Sequence, residues 1–125
     1  MKYLYLALCF SVHLSASIDL LIFSFDRPLQ LYALLESIER RITNLDKTTV
    51  LYRTSNNEFE QVYTEIKQQF STVIFQKHTD HIDFRPLTET IIGNSTANYF
   101  LFAVDDIIVT ADVNLHECTS ALEKT

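Results

Sequence analysis

Two adjacent carboxylates, Asp105 and Asp106, are the residues of this sequence best suited to chemistry. They follow the apolar run Tyr99–Val104 and precede three more apolar residues at 107–109, which predicts a buried strand that ends at the acidic pair. Because unpaired buried charges are costly, such a pair needs hydrogen bonds, a counter-charge or a cation. Carboxylates suit Mg²⁺ or Mn²⁺, which would bridge to substrate phosphates. The alternative is a turn in which one aspartate caps the following backbone.

A second polar cluster, residues 78–83, contains two histidines and two aspartates: His78, Asp80, His81 and Asp83. These side chains could hold a transition metal. A metal site usually draws a ligand from another element, however, and the sequence contains no HExxH motif or further His/Cys cluster. His116 falls in the last predicted helix without an evident link. We therefore predict a polar loop, with a metal or phosphate role as the alternative.

Two arginines stand at predicted strand ends. In Asp26-Arg27-Pro28 the first strand passes into its helix, so backbone N–H groups and the positive end of the helix dipole would face a ligand there. Ordinary helix capping is the alternative. Arg53 ends the second strand and could pair with a carboxylate, stack on a nucleobase, or form a surface salt bridge.

Composition excludes several classes of protein. The formal net charge is −6 and the ten basic residues are scattered, which argues against a nucleic-acid binder. Any phosphate bound here is therefore expected to need a metal ion or backbone N–H groups. Gly93 is the only glycine, so the glycine-rich loops of P-loop NTPases and dinucleotide-binding folds are absent. Cys9 and Cys118 indicate neither a disulfide framework nor a zinc cluster.

Alternating apolar patterns predict strand–helix units from residue 18 onward. Residues 18–23 are a nearly continuous apolar run, as in a strand covered on both faces. Pro28 opens the next helix, and a second unit follows, with a strand at residues 49–52 and a capping box formed by Ser55 and Glu58. The two helices carry equally spaced apolar stripes: Leu31, Leu34, Leu35, Ile38 and Ile42 in the first, and Phe59, Val62, Tyr63, Ile66 and Phe70 in the second.

The second half of the chain continues the alternation. The predicted elements are a strand at residues 73–75, a helix capped by Asp83 and closed by Gly93, the buried strand Tyr99–Val104, a short strand extension at 107–109, and a last helix capped by Asp112 that carries Leu115 and Leu122. Residues 18–125 are thus expected to form one α/β domain with a Rossmann-like, mostly parallel sheet and helices on both faces.

Ligands of such sheets bind at the carboxyl ends of the strands. We therefore expect the functional candidates to share one edge: residues 24–27, 53–55, 77–83 and 105–106.

Residues 1–17 have the layout of a secretory signal peptide. Lys2 precedes an apolar run at residues 3–14, and the small residues Ser15-Ala16-Ser17 follow. This predicts an exported or membrane-associated protein. The alternative is a cytoplasmic protein in which the run forms a strand at the sheet edge.

The stretches LLIFSFDRPLQL at residues 20–31 and YFLFAVDD at residues 99–106 resemble the nucleotide-sugar-binding half of GT-A-type glycosyltransferases. In that family the first strand and its turn hold the nucleotide. An Asp-x-Asp or x-Asp-Asp motif after the fourth strand holds a divalent cation against the donor diphosphate. The resemblance runs from residue 18 to about residue 122 and implies a GT-A-type fold that is incomplete at its C-terminal side.

The same resemblance implies roles for individual residues. Asp106 looks like the ligand of Mn²⁺ or Mg²⁺, and Asp105 like its neighbour that supports the ribose or the metal. The residues directed to the nucleotide of the sugar donor would be Ser24, Asp26, Arg27 and Arg53. Val104 stands where many relatives carry a third acid. The chain ends before the family's acceptor-binding segment and catalytic base, so the acceptor and the catalytic residues stay unassigned. A catalytically silent, truncated nucleotide-binding domain is the alternative.

Overall fold

The computed structural model describes residues 15–125. The elements in chain order are β1 (Ile18–Phe25), α1 (Pro28–Arg41), β2 (Ile42–Thr43), β3 (Lys47–Arg53), α2 (Asn57–Gln69), β4 (Ile74–Lys77), α3 (His81–Gly93), β5 (Tyr99–Val104), β6 (Val113–Asn114) and α4 (Leu115–Glu123). Most of the signal-like segment, residues 1–14, lies outside the described part. Within residues 15–125, no helix combines the length and apolar character needed to cross a bilayer.

The main sheet has four parallel strands in the order β4-β3-β1-β5. Phe23 of β1 lies beside Leu51 of β3 on one side and beside Val104 of β5 on the other. The chain moves outward from β1 through β3 to β4 and then crosses back to β5 on the far side of β1. The predicted Rossmann-like, parallel α/β architecture is therefore confirmed, and the strand order reverses between β1 and β5.

One face of the sheet carries the main core beneath α1 and α2. Side chains of β1 and β3 that point to this face pack against the predicted stripes of both helices. The buried residues of this core are Leu20, Ile22, Leu31, Leu34, Leu35, Ile38, Val50, Tyr52, Tyr63, Ile66 and Phe70. The helical spacing in the sequence thus identified the core side of both helices.

The opposite face is covered more thinly. Phe23 alternates with the core residue Ile22 and so points to this second face, where its ring centroid lies 5.2 Å from that of Phe84 in α3. No residue of α3 is fully buried. Helices lie on both faces, as predicted, but the α3 side is the weaker layer.

The prediction that Tyr99–Val104 is a buried strand is wrong. Within the described residues β5 pairs only with β1 and forms an edge of the sheet, so Leu101 and Val104 are exposed and Phe102 is 57% exposed. A continuous apolar run indicates burial only when a neighbouring strand and two covering layers are present, and the sequence pattern carries no information about those neighbours.

Three helix starts differ from the prediction. The α2 helix is capped by Asn56 rather than Ser55, and α3 is capped by Asp80, with Asp83 as the third helical residue of the capping box. The α4 helix is capped by Asn114 rather than Asp112. In each case several polar residues stand close together, and any of them satisfies the local capping pattern.

Two smaller predictions also fail. Residues 107–109 form no strand, and the Val109 N–H donates instead to Ser37 Oγ of α1 at 3.0 Å. The short strand that follows the acidic pair is β6, which pairs with β2 in a separate two-stranded sheet. Gly93 is the last residue of α3 and has no positive φ; the cap itself is Asn94.

We expect Leu34→Ala to lower the free energy of unfolding by about 2–5 kcal/mol, because this fully buried residue of α1 would leave a cavity under the helix. Leu29→Ala on the same helix is the matched control, since Leu29 is exposed and its loss should change stability by only about 0.5 kcal/mol. Urea unfolding followed by circular dichroism measures both. Equal effects of the two substitutions would contradict this description of the core.

Candidate functional site

A cleft of about 450 Å³ opens at the carboxyl ends of the strands, where the strand order reverses. The four segments predicted to share this edge all contribute to it. The lining residues are Phe23, Ser24, Phe25, Arg27, Leu51, Arg53, His78, His81, Phe84, Val104, Asp105 and Asp106. Parallel strands bring their carboxyl ends to one edge, which is why residues from distant parts of the sequence meet there.

Asp105 is buried at the junction of β1 and β5, with only 5% of its surface exposed. Its carboxylate accepts hydrogen bonds from Ser24 Oγ at 2.7 Å and from the Phe25 N–H at 3.3 Å. Its own N–H donates to the Phe23 carbonyl at 3.2 Å. The buried charge is therefore stabilised by donors of the neighbouring strand, and Asp105 fastens the end of β5 to the end of β1.

A hydrogen-bond chain runs from α2 to this carboxylate. The buried Tyr63 hydroxyl lies 2.5 Å from Ser24 Oγ and accepts the Arg27 N–H at 3.2 Å. Since the Ser24 hydrogen goes to Asp105, the Tyr63 hydroxyl donates to Ser24. Burial raises the pKa of Tyr63, so the group stays protonated in this role.

Tyr63 was predicted only as a core residue of its helical stripe. Its hydroxyl was the available signal, because a buried tyrosine normally needs a polar partner. Its carbon skeleton does lie in the core, where the Tyr52 ring stacks on it at a centroid distance of 4.7 Å. The residue joins the core to the cleft.

Asp106 is the open member of the acidic pair, with 53% of its side chain exposed. Arg27 Nη1 lies 3.4 Å from Asp106 Oδ2 and 3.8 Å from Asp105 Oδ1, so one guanidinium faces both carboxylates. Residues 15–125 contain no group of three or more His, Cys, Asp or Glu side chains placed so that they could hold a metal ion together. The donor set is nevertheless compatible with Mg²⁺ or Mn²⁺, which bind through one or two carboxylates and complete their shell with phosphate oxygens and water.

Asp26 has a structural contact that the sequence did not reveal. Its backbone has a positive φ of 53°, and its carboxylate accepts the Ser55 N–H at 2.7 Å. Its own N–H donates to the Arg53 carbonyl at 3.2 Å. Asp26 therefore ties the turn after β1 to the turn after β3. The Asp26 carboxylate is thus hydrogen-bonded to the protein backbone, whereas Ser24, Arg27 and Arg53 line the cleft.

Arg53, which is partly buried, and Phe25, which is half exposed, form a pair on the cleft wall. The guanidinium carbon lies 5.0 Å from the Phe25 ring centroid, in a cation–π arrangement. The pair presents a positive charge beside an aromatic surface. Within residues 15–125 Arg53 forms no ion pair, and its stacking on a nucleobase stays a prediction.

The prediction of a polar loop at residues 78–83 is wrong in its second half, because α3 begins at His81. The Asp80 carboxylate accepts the N–H groups of Ile82 and Asp83, and Asp83 accepts those of Thr79 and Asp80 in return. His78 is buried against the Phe84 ring, and its Nδ1 lies 2.9 Å from the Asp80 carbonyl oxygen. The capping box positions His78 and His81 on the cleft wall.

No protein-family model matches this chain, and no curated protein matches it at a significant level.

We expect Ser24→Ala to lower the free energy of unfolding by about 1–3 kcal/mol, because it removes a donor from the buried Asp105 and the acceptor of the Tyr63 hydroxyl. Ser71→Ala, at an exposed serine in the turn after α2, should change stability by no more than about 0.5 kcal/mol. Chemical denaturation measures both. A Ser24→Ala protein as stable as the wild type would show that the chain of hydrogen bonds contributes nothing.

The α3 capping box should make stability depend on acid pH. Hydrogen bonds, led by the one from the Thr79 N–H, lower the pKa of Asp83 from 3.8 to about 2. Because this folded-state pKa is depressed, the stabilisation by the Asp83 carboxylate is complete above 3.8 and is lost as the pH falls toward about 2. Side-chain carboxyl chemical shifts in an NMR titration measure the value. Asp83→Asn should abolish this part of the pH dependence, and an Asp83 titration midpoint at its ordinary 3.8 would refute the contact.

Proposed function

We propose that the chain binds a nucleoside-diphosphate sugar in this cleft and acts as the donor-binding half of a glycosyltransferase. The observation that carries the proposal is the position of Asp105 and Asp106. They follow a parallel strand where the strand order reverses, and two cleft-lining arginines lie on neighbouring segments. Open α/β sheets bind their ligands at this type of position.

The chemistry of the cleft supports the same ligand class. Aromatic side chains line part of it and offer surface for a base or a sugar, while Arg27 and Arg53 supply positive charge for phosphates. Its volume of about 450 Å³ falls within the range of roughly 300–1,000 Å³ that is usual for small-molecule sites. A ligand that is part aromatic, part sugar and part diphosphate matches this distribution.

The arginines change one expectation from the sequence. Scattered basic residues suggested that a bound phosphate needs a metal ion or backbone N–H groups. Folding brings two of them, Arg27 and Arg53, to one cleft although they lie on different turns. Side-chain cations therefore contribute to phosphate binding in the proposed complex.

A divalent cation would be held by Asp106, with Asp105 behind it. When bound, such an ion offsets the negative charge that develops on the leaving diphosphate during sugar transfer. Asp105 keeps the end of β5 in place through Ser24 and Phe25, so that Asp106 projects into the cleft. Arg27, in the turn after β1, and Arg53, at the end of β3, orient the phosphates of the donor.

A binding domain without transferase activity is the second candidate. It is favoured by the engagement of both acidic groups in the cleft: Asp105 is held by Ser24, and Asp106 by Arg27. Neither carboxylate is left to remove a proton from an acceptor hydroxyl, because Asp105 is held by Ser24 and Asp106 pairs with Arg27 or, in the proposed complex, with the cation. Such a domain would bind the donor but leave its sugar in place.

Thermal unfolding tests the donor site. We expect Mn²⁺ together with a nucleoside diphosphate, tried across the uridine, guanosine, cytidine, adenosine and thymidine compounds, to raise the melting temperature, because ligands that bind only the folded state stabilise it. Mn²⁺ alone should have a much smaller effect, since the protein supplies few ligands. Asp106→Ala should abolish the shift.

Glu39→Gln is the matched control, because it removes the same charge from an exposed position near the far end of α1 and should keep the full shift. Unchanged melting curves with all five nucleotides would refute the proposal. Where binding is observed, release of radiolabelled sugar from the matching donor separates a transferase from a silent binding domain.

A further inference from the structure

Arg27 lies where a metal ion would have to bind. Its Nη1 is 3.4 Å from Asp106 and 3.8 Å from Asp105, and no other basic side chain among residues 15–125 lies within 4.0 Å of either carboxylate. The guanidinium provides the counter-charge of the acidic pair. A divalent cation and Arg27 therefore compete for the same two carboxylates.

The Arg27 side chain is half exposed, whereas its backbone is held by a hydrogen bond to the core. The Arg27 N–H donates to the buried Tyr63 hydroxyl, and Pro28 follows as the first residue of α1. The side chain itself is 52% exposed, and its nearest contact to a carboxylate is 3.4 Å, longer than a close bidentate pair. The guanidinium can leave the acidic pair without disturbing the hydrogen-bond chain below it.

Departure of Arg27 would affect Asp105 and Asp106 differently. Asp105 keeps its bonds from Ser24 and the Phe25 N–H when Arg27 departs, so its buried charge stays stabilised. Asp106 is exposed and has Arg27 as its hydrogen-bonding partner. Its carboxylate would accept a cation in exchange for the guanidinium at little desolvation cost.

We propose that Arg27 is the internal counter-ion of the acidic pair and that it changes partners during binding. A divalent cation displaces the guanidinium from Asp105 and Asp106, and Arg27 then turns to the phosphates of the nucleotide. This inference rests on the proposed function for the identity of the phosphates. Its consequence is positive coupling: metal and diphosphate each bind more tightly when the other is present. Once Arg27 has left the acidic pair, the guanidinium and the two carboxylates all keep a counter-charge only if both ligands are bound.

The first arm of the test measures Mn²⁺ alone. Free Mn²⁺ is followed by electron paramagnetic resonance at physiological ionic strength, where distant charges are screened. We expect Arg27→Gln to bind Mn²⁺ at least about fivefold more tightly than wild type, the lower end of ordinary coupling between sites. Arg27→Lys keeps the charge and should remain near wild type. Melting curves of each variant confirm folding.

Arg53→Gln is the matched control. It removes the same charge from the same cleft, but its guanidinium lies over Phe25 instead of the carboxylates, so Mn²⁺ affinity should stay near wild type. Adding Asp106→Asn to Arg27→Gln should remove the gain. An unchanged Mn²⁺ affinity in Arg27→Gln, or an equal gain in Arg53→Gln, would overturn the counter-ion role.

The second arm measures the same five nucleoside diphosphates by calorimetry in saturating Mn²⁺. Arg27→Gln should weaken the binding of whichever nucleotide the wild type takes, and unchanged affinity would overturn the movement of Arg27 to the phosphates. If the wild type binds none of the five nucleotides, the proposed function is refuted, and the proposed contact of Arg27 with the nucleotide phosphates fails with it. The Mn²⁺ titration tests the role of Arg27 as counter-ion whether or not a nucleotide binds.

Discussion

The burial of one carboxylate at the end of two parallel strands governs the rest of this structure. The Asp105 carboxylate is buried away from water, and a buried charge is stable only where hydrogen-bond donors are already in place. Here the donors are Ser24 Oγ and the Phe25 N–H, both on the neighbouring strand. The register of β1 against β5 is what brings them within reach, since Phe23 pairs with Val104 directly before them. The charge and the sheet therefore constrain each other.

This interaction also links the hydrophobic core to the cleft. Tyr63 belongs to the core through its ring and to the site through its hydroxyl, which donates to Ser24 and accepts from Arg27. Packing of α2 on the sheet consequently determines where the Arg27 backbone lies. The Arg27 guanidinium and the Asp106 carboxylate, by contrast, are exposed charged groups of the cleft. A cleft whose base is held by packing and hydrogen bonds is the arrangement that the proposed binding of a charged ligand needs.

Features that depend on neighbouring residues were predicted more accurately than features that depend on residues distant in the sequence. The core faces of α1 and α2 were predicted correctly because 3.6-residue periodicity is a local consequence of burying one helix face, although the last stripe residues, Ile42 and Phe70, lie just past the helix ends and Ile42 belongs to β2. The caps were assigned one to three residues away from their true positions, because neighbouring polar residues such as Ser55 and Asn56 satisfy the same local rule. Burial of Tyr99–Val104 was predicted wrongly, since burial depends on neighbours that no local pattern specifies. The predicted site residues lie at one edge of the sheet, but the contact of Asp26 with the Ser55 N–H could not be read from the sequence.

By itself, the sequence determined the order of the four main-sheet strands and the helices between them, the core faces of α1 and α2, and the presence of polar residues after each main-sheet strand. Parallel topology then requires those residues to share one edge. Only the tertiary structure decided that Asp105 is buried while Asp106 is open, that Arg27 lies between them, and that Tyr63 supports Ser24. The physical reason is distance along the chain. Ser24 and Asp105 are separated by 81 positions, and whether their oxygens stand 2.7 Å apart depends on register and packing, which no local pattern records.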